Sequence, residues 1–220
     1  MEMDMGIKNK LAKRAAREVK EGMIVNLGIG IPSLVPNHLP TGYGVIFHSE
    51  NGIVGIGHAP SKGMEDENLC NAGGFPVSLN AGGSYTDSAA AFAMIRRGKI
   101  DLTILGSLQV SEKGDLANWI IPGKKIPGMG GATELASKAK KVIVLMTHLD
   151  KHHRSKLVKE CTLPLTAKQC VSMIITERGV FSIDHGRLTL IEIFHPYTLE
   201  EIRDSTEADF MTSPQMIYSE

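Results

Sequence analysis

Short apolar runs of strand length recur along this chain, each stopped by a turn and most separated by segments of helical period. That alternation restricts the architecture more firmly than any other feature, because it suits a sheet covered by helices. Residues 23–27 run into Gly28-Ile29-Gly30-Ile31-Pro32-Ser33, and residues 45–48 run into Ser49-Glu50-Asn51-Gly52. Residues 102–105 and 142–146 are further runs of this kind. Ile7, Leu11, Ala15 and Val19 recur every four residues and predict a helix over 7–21, with Gly22 as its stop. Thr86 or Asp87 caps a second helix reaching Arg97, and residues 132–140 predict a third. Residues 171–176 and 180–183 flank Glu177-Arg178-Gly179 as a hairpin, with 188–193 pairing nearby. Thr198-Leu199-Glu200-Glu201 has the form of a capping box opening a last helix. The expectation is an α/β fold: an open, mostly parallel sheet, made mixed by the hairpin, with helices on both faces. One domain is expected over 1–220, with a loose tail from about Met211. The glycine-rich stretch 57–84 reads as an extended loop, and a loop that long is usually functional.

Composition removes several function classes. A chain of 220 residues buries roughly 70% of its extended surface, enough for a full core without staples. The 24 basic and 24 acidic side chains cancel, so no clustered basic excess points to nucleic acid. The densest basic run, from Lys8 to Lys20, has helical spacing and reads as a solvated helix face. Cys70, Cys161 and Cys170 are odd in number and form no C-x-x-C pair, which opposes a disulfide framework or thiolate zinc site. The opening residues contain no apolar run of signal-peptide type, and no stretch approaches the roughly 18 apolar residues of a membrane helix. A cytoplasmic location is the expectation.

Three features can carry chemistry. The first glycine turn follows a strand, begins G-x-G, and precedes Glu50 by about the distance expected of a ribose-binding acid. Against a dinucleotide site, the third glycine position is Ser33, and Pro32 stands where a helix should enter. Glu50 lies between a strand end and an Asn-Gly turn, where open α/β sheets present ligands. Locally it reads either as a solvated turn acid or as a carboxylate nucleophile held in a crevice. Pro127-Gly128-Met129-Gly130-Gly131-Ala132 precedes a predicted helix, and such a loop can bring backbone N–H groups to an oxyanion. The histidines have no metal-ligand spacing, His152 and His153 sit in a charged loop, and no metal is expected.

Together, Asn26-Leu27-Gly28-Ile29-Gly30-Ile31-Pro32, Ser49-Glu50-Asn51-Gly52, Asp115-Leu116-Ala117-Asn118-Trp119 and Pro122-Gly123-Lys124 through Gly128-Met129-Gly130-Gly131-Ala132 resemble the B (beta) chain of family I CoA-transferases, in the 3-oxoacid group. They occur in family order over roughly residues 5–210. The resemblance implies that Glu50 is the nucleophile of a ping-pong transfer through a glutamyl-CoA thioester. It implies that Gly131, with Gly130 and Asn51, serves the oxyanion and substrate, and that Gly28 and Gly30 line the site. It implies CoA transfer from an acyl-CoA such as succinyl-CoA to a 3-oxoacid such as acetoacetate, with acetate or 3-oxoadipate as alternatives. CoA is then a co-substrate, and no cofactor is permanently bound. The implied partner is an A (alpha) subunit, in an assembly of two alpha and two beta chains. A reading of another class, a metabolite-binding regulatory domain of the same fold, does not need a glutamate at the Asn-Gly turn.

Overall fold

The computed structural model describes residues 4–121, 123 and 129–220. Thirteen strands and four α-helices are found among them. Ten strands form one sheet, in the order β13 (Met211–Ser219), β12 (Arg187–Phe194), β11 (Gly179–Asp184), β10 (Met173–Ile175), β8 (Lys141–Leu145), β5 (Leu102–Gly106), β1 (Ile24–Leu27), β2 (Ile46–Ser49), β3 (Ile53–Ile56) and β4 (Leu79–Tyr85). Its parallel centre consists of β10 (Met173–Ile175), β8 (Lys141–Leu145), β5 (Leu102–Gly106), β1 (Ile24–Leu27) and β2 (Ile46–Ser49). β11 (Gly179–Asp184) and β12 (Arg187–Phe194) add antiparallel strands on one side, as the hairpin pattern predicted. β3 (Ile53–Ile56) and β4 (Leu79–Tyr85) do the same on the other. β7 (Leu116–Ala117), β6 (Gln109–Ser111) and β9 (Leu157–Val158) make a separate small sheet.

Central strands bury both faces, which is why they read as continuous apolar runs rather than as alternation. Leu102, Ile104, Ile143, Leu145 and Ile175 join one core with Leu11, Ala12, Ala15 and Ala16 of α1 (Met5–Ala16). Leu105, Val142, Val144 and Ile174 point the other way. They meet Ala136 of α3 (Ala132–Lys138) and Ile202 of α4 (Leu199–Ser205). A third cluster joins Ile95 of α2 (Ser88–Arg96) to Leu135 and Ile100. Each of the Leu, Ile and Val side chains contributes about 1.5–3 kcal/mol when fully buried. Helices therefore cover both faces, in agreement with the expected mixed α/β sheet. No helix among the described residues is long and apolar enough to cross a membrane.

Three expectations are corrected. The first helix ends at Ala16, not residue 21. Glu18 N and Val19 N bond back three residues, to the carbonyls of Ala15 and Ala16, and these tight turns close the helix. The segment 57–84 is not wholly loop, because its last residues form β4 against β3. Gly55, at φ +88°, sits where the β3–β4 register shifts, and that irregularity hides both strands from a period-2 reading. Residues from Met211 are not a loose tail either. β13 (Met211–Ser219) pairs in parallel with β12 at the sheet edge. An edge strand tolerates Pro214 and buries little, so it lacks the pattern by which strands are recognised. Its end is held by Ser219 Oγ donating to Glu192 Oε1 at 2.5 Å. The 1% exposed Glu192 carboxylate also accepts from Arg14 Nε of α1 at 2.6 Å.

A polar cluster follows β8 and β10. His148 is fully buried, with Nδ1 3.2 Å from Thr176 Oγ1 and Nε2 3.0 Å from Thr206 Oγ1. Burial, then the charge of Arg178, lowers its pKa to about 3. The unfolded chain takes up this proton near pH 6.5 while the folded chain resists it, so stability falls with pH through the window from about 6.5 to 3. The slope expected from this group is about 1.4 kcal/mol per pH unit. Urea unfolding of the wild type and of His148→Gln at pH 7, 6 and 5 checks this, and equal slopes in both would rule the group out as the cause.

Candidate active site

β1 has β2 on one side and β5 on the other. Chain connections diverge there, and open α/β sheets bind ligands at the carboxyl ends of strands at such a point. Gly28 follows β1, and Glu50 follows β2. Both line one crevice of about 270 Å³, with Ile29, Phe47, His48 and Asn71 among its other walls.

Glu50 occupies the corner of a turn closed by Gly52 N donating to Ser49 O at 3.0 Å. Gly52 has φ +108°, and a Cβ on it would lie 2.1 Å from the Thr86 carbonyl oxygen. Only glycine allows the turn to lie against the strand end at Thr86. The half-buried Glu50 carboxylate is held from two sides. Asn26 Nδ2, from β1, donates to Glu50 Oε2 at 3.1 Å. On the other side is the backbone of Gly131, the N-cap of α3. A Cβ at Gly131 would stand 3.3 Å from Glu50 Cγ and 3.4 Å from Cδ and Oε1. Glycine there brings main chain rather than side chain against the carboxylate.

The structure thus gathers Glu50, Gly131 and Gly28, three of the residues singled out in the sequence. It separates others from them. Asn51 turns away, its Nδ2 donating to the Cys70 carbonyl at 2.8 Å, so it secures the neighbouring loop. Ala72 N donates to Ser49 Oγ at 3.1 Å and fastens the same loop to β2. Gly30 is not a crevice wall; it is the N-cap of a 3-10 helix, Ile31–His38. That helix contains Pro32 and Pro36, so the glycine turn does not lead into the α-helix that a dinucleotide pyrophosphate needs. Gly130, at φ +53°, has open space beside it. The expected loop at residues 122 and 124–128 lies outside the described residues. Asn118 of the third motif donates to the Gly106 carbonyl at the end of β5 at 3.1 Å, which ties that motif to the same end of the sheet. Sequence reasoning missed Asn26 as a site residue, although Asn26 opens the first motif. Its available signal was an amide in an otherwise apolar strand run, 24 residues before a carboxylate.

Fold and site together define an α/β enzyme class that presents a carboxylate at a topological switch point. The sequence profile of the coenzyme A transferase family matches residues 8–203, and the chain belongs to that family. It is 57% identical to the beta chain of a probable coenzyme A transferase of Bacillus subtilis, over 94% of this chain and 96% of that one. It is 50% identical to a second Bacillus subtilis protein, the corresponding chain of a probable succinyl-CoA:3-ketoacid coenzyme A transferase, over 96% and 98% of the two chains. Among solved structures it resembles an acyl-CoA transferase apoenzyme of Escherichia coli O157:H7, with TM-score 0.79 and 20% identity. That likeness covers 100% of this chain and 44% of the other, and at such identity it speaks to the fold.

Proposed function

We propose that Glu50 is the carboxylate on which this CoA-transferase carries its CoA. The observation that carries the reading is the bracketing of Glu50 by Asn26 Nδ2 and the Gly131 backbone. In the first step a Glu50 oxygen attacks the thioester carbonyl of an acyl-CoA. The C–S bond breaks, giving an acyl-glutamyl anhydride and CoA thiolate. The thiolate then attacks Cδ of Glu50, the acyl carboxylate leaves, and a glutamyl-CoA thioester remains. A second carboxylic acid takes the CoA by the reverse of these steps, so the kinetics are ping-pong.

Negative charge develops on a Glu50 oxygen when the thiolate adds to Cδ. Fixed donors aimed at that oxygen lower the barrier, since they need no reorganisation at the moment of reaction. Asn26 Nδ2 is one such donor, and the Gly131 main chain supplies the other side. Leu27, Phe47 and Val77 give the crevice apolar walls that limit the water able to hydrolyse the anhydride. CoA is the co-substrate, and the cycle requires no resident cofactor.

The acceptor we infer is a 3-oxoacid such as acetoacetate and the donor an acyl-CoA such as succinyl-CoA, supported by the name of the 50% identical relative. Acetate and 3-oxoadipate remain the alternative acids. Both relatives are named as one of two kinds of chain, which supports an A (alpha) subunit as partner, two copies of each chain to the assembly. We place the enzyme in the cytoplasm; its three cysteines are all unpaired, which suits a reducing compartment. The mechanism is tested by incubating the chain and its alpha partner with acyl-CoA but no acceptor, quenching with hydroxylamine or borohydride, and mapping the product by mass spectrometry. One modified residue, Glu50, is the expected result. An unmodified Glu50 in an assembly that still exchanges CoA overturns it.

A further inference from the structure

We infer that His48 is a positioning residue for Glu50: its ring Nδ1 helps fix which way the Asn26 carboxamide faces, and so which atom the carboxylate meets. This rests on Glu50 being the CoA-carrying group. Thr103, Asn26 and His48 lie in register across β5, β1 and β2, so their side chains project from the same face of the sheet. Asn26 is 1% exposed and His48 2%.

Asn26 Nδ2 has two hydrogens and three acceptors around it. These are Glu50 Oε2 at 3.1 Å, the His48 carbonyl at 3.1 Å and His48 Nδ1 at 3.3 Å. One hydrogen serves the carboxylate, and His48 shares the other between its carbonyl and its ring. Turning the carboxamide over would set Oδ1 against all three acceptors, so the network admits one orientation. For Nδ1 to accept, the ring must be neutral with its proton on Nε2. Burial favours that state and lowers the His48 pKa, while the Ala91 backbone and the Glu50 charge act in the opposite sense. Glu50 is the charged group that acts on the ring; Asn26 on β1, Ala91 on α2 and Val54 on β3 are uncharged.

A protonated His48 would point Nδ1–H at Asn26 Nδ2–H, donor against donor. The carboxamide would then have to turn, presenting Oδ1 to the Glu50 carboxylate. Acid should therefore weaken transfer through His48.

The test uses the assembled enzyme with His48→Phe, which lacks the acceptor, and His48→Asn, which can return an acceptor oxygen near the Nδ1 position. His48→Phe should lower kcat about tenfold, the value of one lost hydrogen bond in the transition state, with KM changed by less than about twofold. His48→Asn should recover kcat to within about threefold of the wild type. The acid limb of log kcat should be steeper in the wild type than in His48→Asn, which has no ring to protonate. A kcat in His48→Phe within about twofold of the wild type overturns the proposal, as does His48→Asn performing no better than His48→Phe. If His48→Phe does not fold, identical acid limbs in the wild type and His48→Asn overturn it. Hydroxylamine trapping separates the two readings: no Glu50 adduct in an exchanging wild type sinks the nucleophile, whereas a Glu50 adduct in all three proteins with unaltered kcat in His48→Phe overturns the His48 role alone.

Discussion

Replacing Glu50 with glutamine is expected to lower kcat of the assembled transferase by roughly ten-thousandfold or more, while the protein still folds. The size follows from the chemistry. A carboxamide is a poor nucleophile, so neither the anhydride nor the thioester can form, and only substrate binding survives. The fold should survive because glutamine keeps an oxygen able to accept from Asn26 Nδ2 and the same stem beside Gly131. The measurement is a steady-state CoA-exchange assay beside a urea unfolding curve. A glutamine variant with a few per cent of wild-type turnover would remove Glu50 from the mechanism.

The second large effect is structural. Gly52→Ala should destabilise the chain by about 3 kcal/mol or more, through backbone strain and collision with main chain. The added Cβ would meet the Thr86 oxygen at 2.1 Å, at a φ of +108° that side chains rarely adopt. Neither partner is free to move. Thr86 N donates to Gly52 O at 2.8 Å, and Gly52 N closes the turn that carries Glu50. Relief therefore has to come by opening the turn, so activity should fall along with stability. The urea midpoint is expected to drop by more than about 1 M. An unchanged midpoint with full activity would mean that Gly52 does not lie against Thr86 as described.

The parallel centre of the sheet was legible because its strands are buried on both faces and stop at turns that composition marks clearly. The C-terminal helix was legible through its capping box, which forms with Thr198 and Glu201 as the spacing predicted. β13 was not legible, since exposed residues and Pro214 leave an edge strand without alternation. The site divides in the same way. Glu50 stood out only through the joint resemblance of four segments, because a turn acid has no local signature of reactivity. Asn26 could not be paired with Glu50 until β1 and β2 were known to run parallel with Asn26 beside His48. Asn51 carried the expectation of a substrate contact because it adjoins Glu50. The tight turn instead sends its amide to the carbonyl of Cys70.

The placement of Asn26 on a strand interior has an evolutionary consequence. Val25 and Asn26 face opposite sides of β1, one into the apolar core and one toward the carboxylate. Loss or gain of a single codon within β1 would exchange them, sending the amide into hydrocarbon and an aliphatic group to Glu50. Such a frame-preserving indel would abolish packing and transfer together, whereas the loops around the crevice can absorb length changes one at a time. Length variation among functional variants of this chain should therefore avoid β1 and β2 and collect in the 57–78 loop, a bias that a random-deletion library under selection for CoA exchange would record.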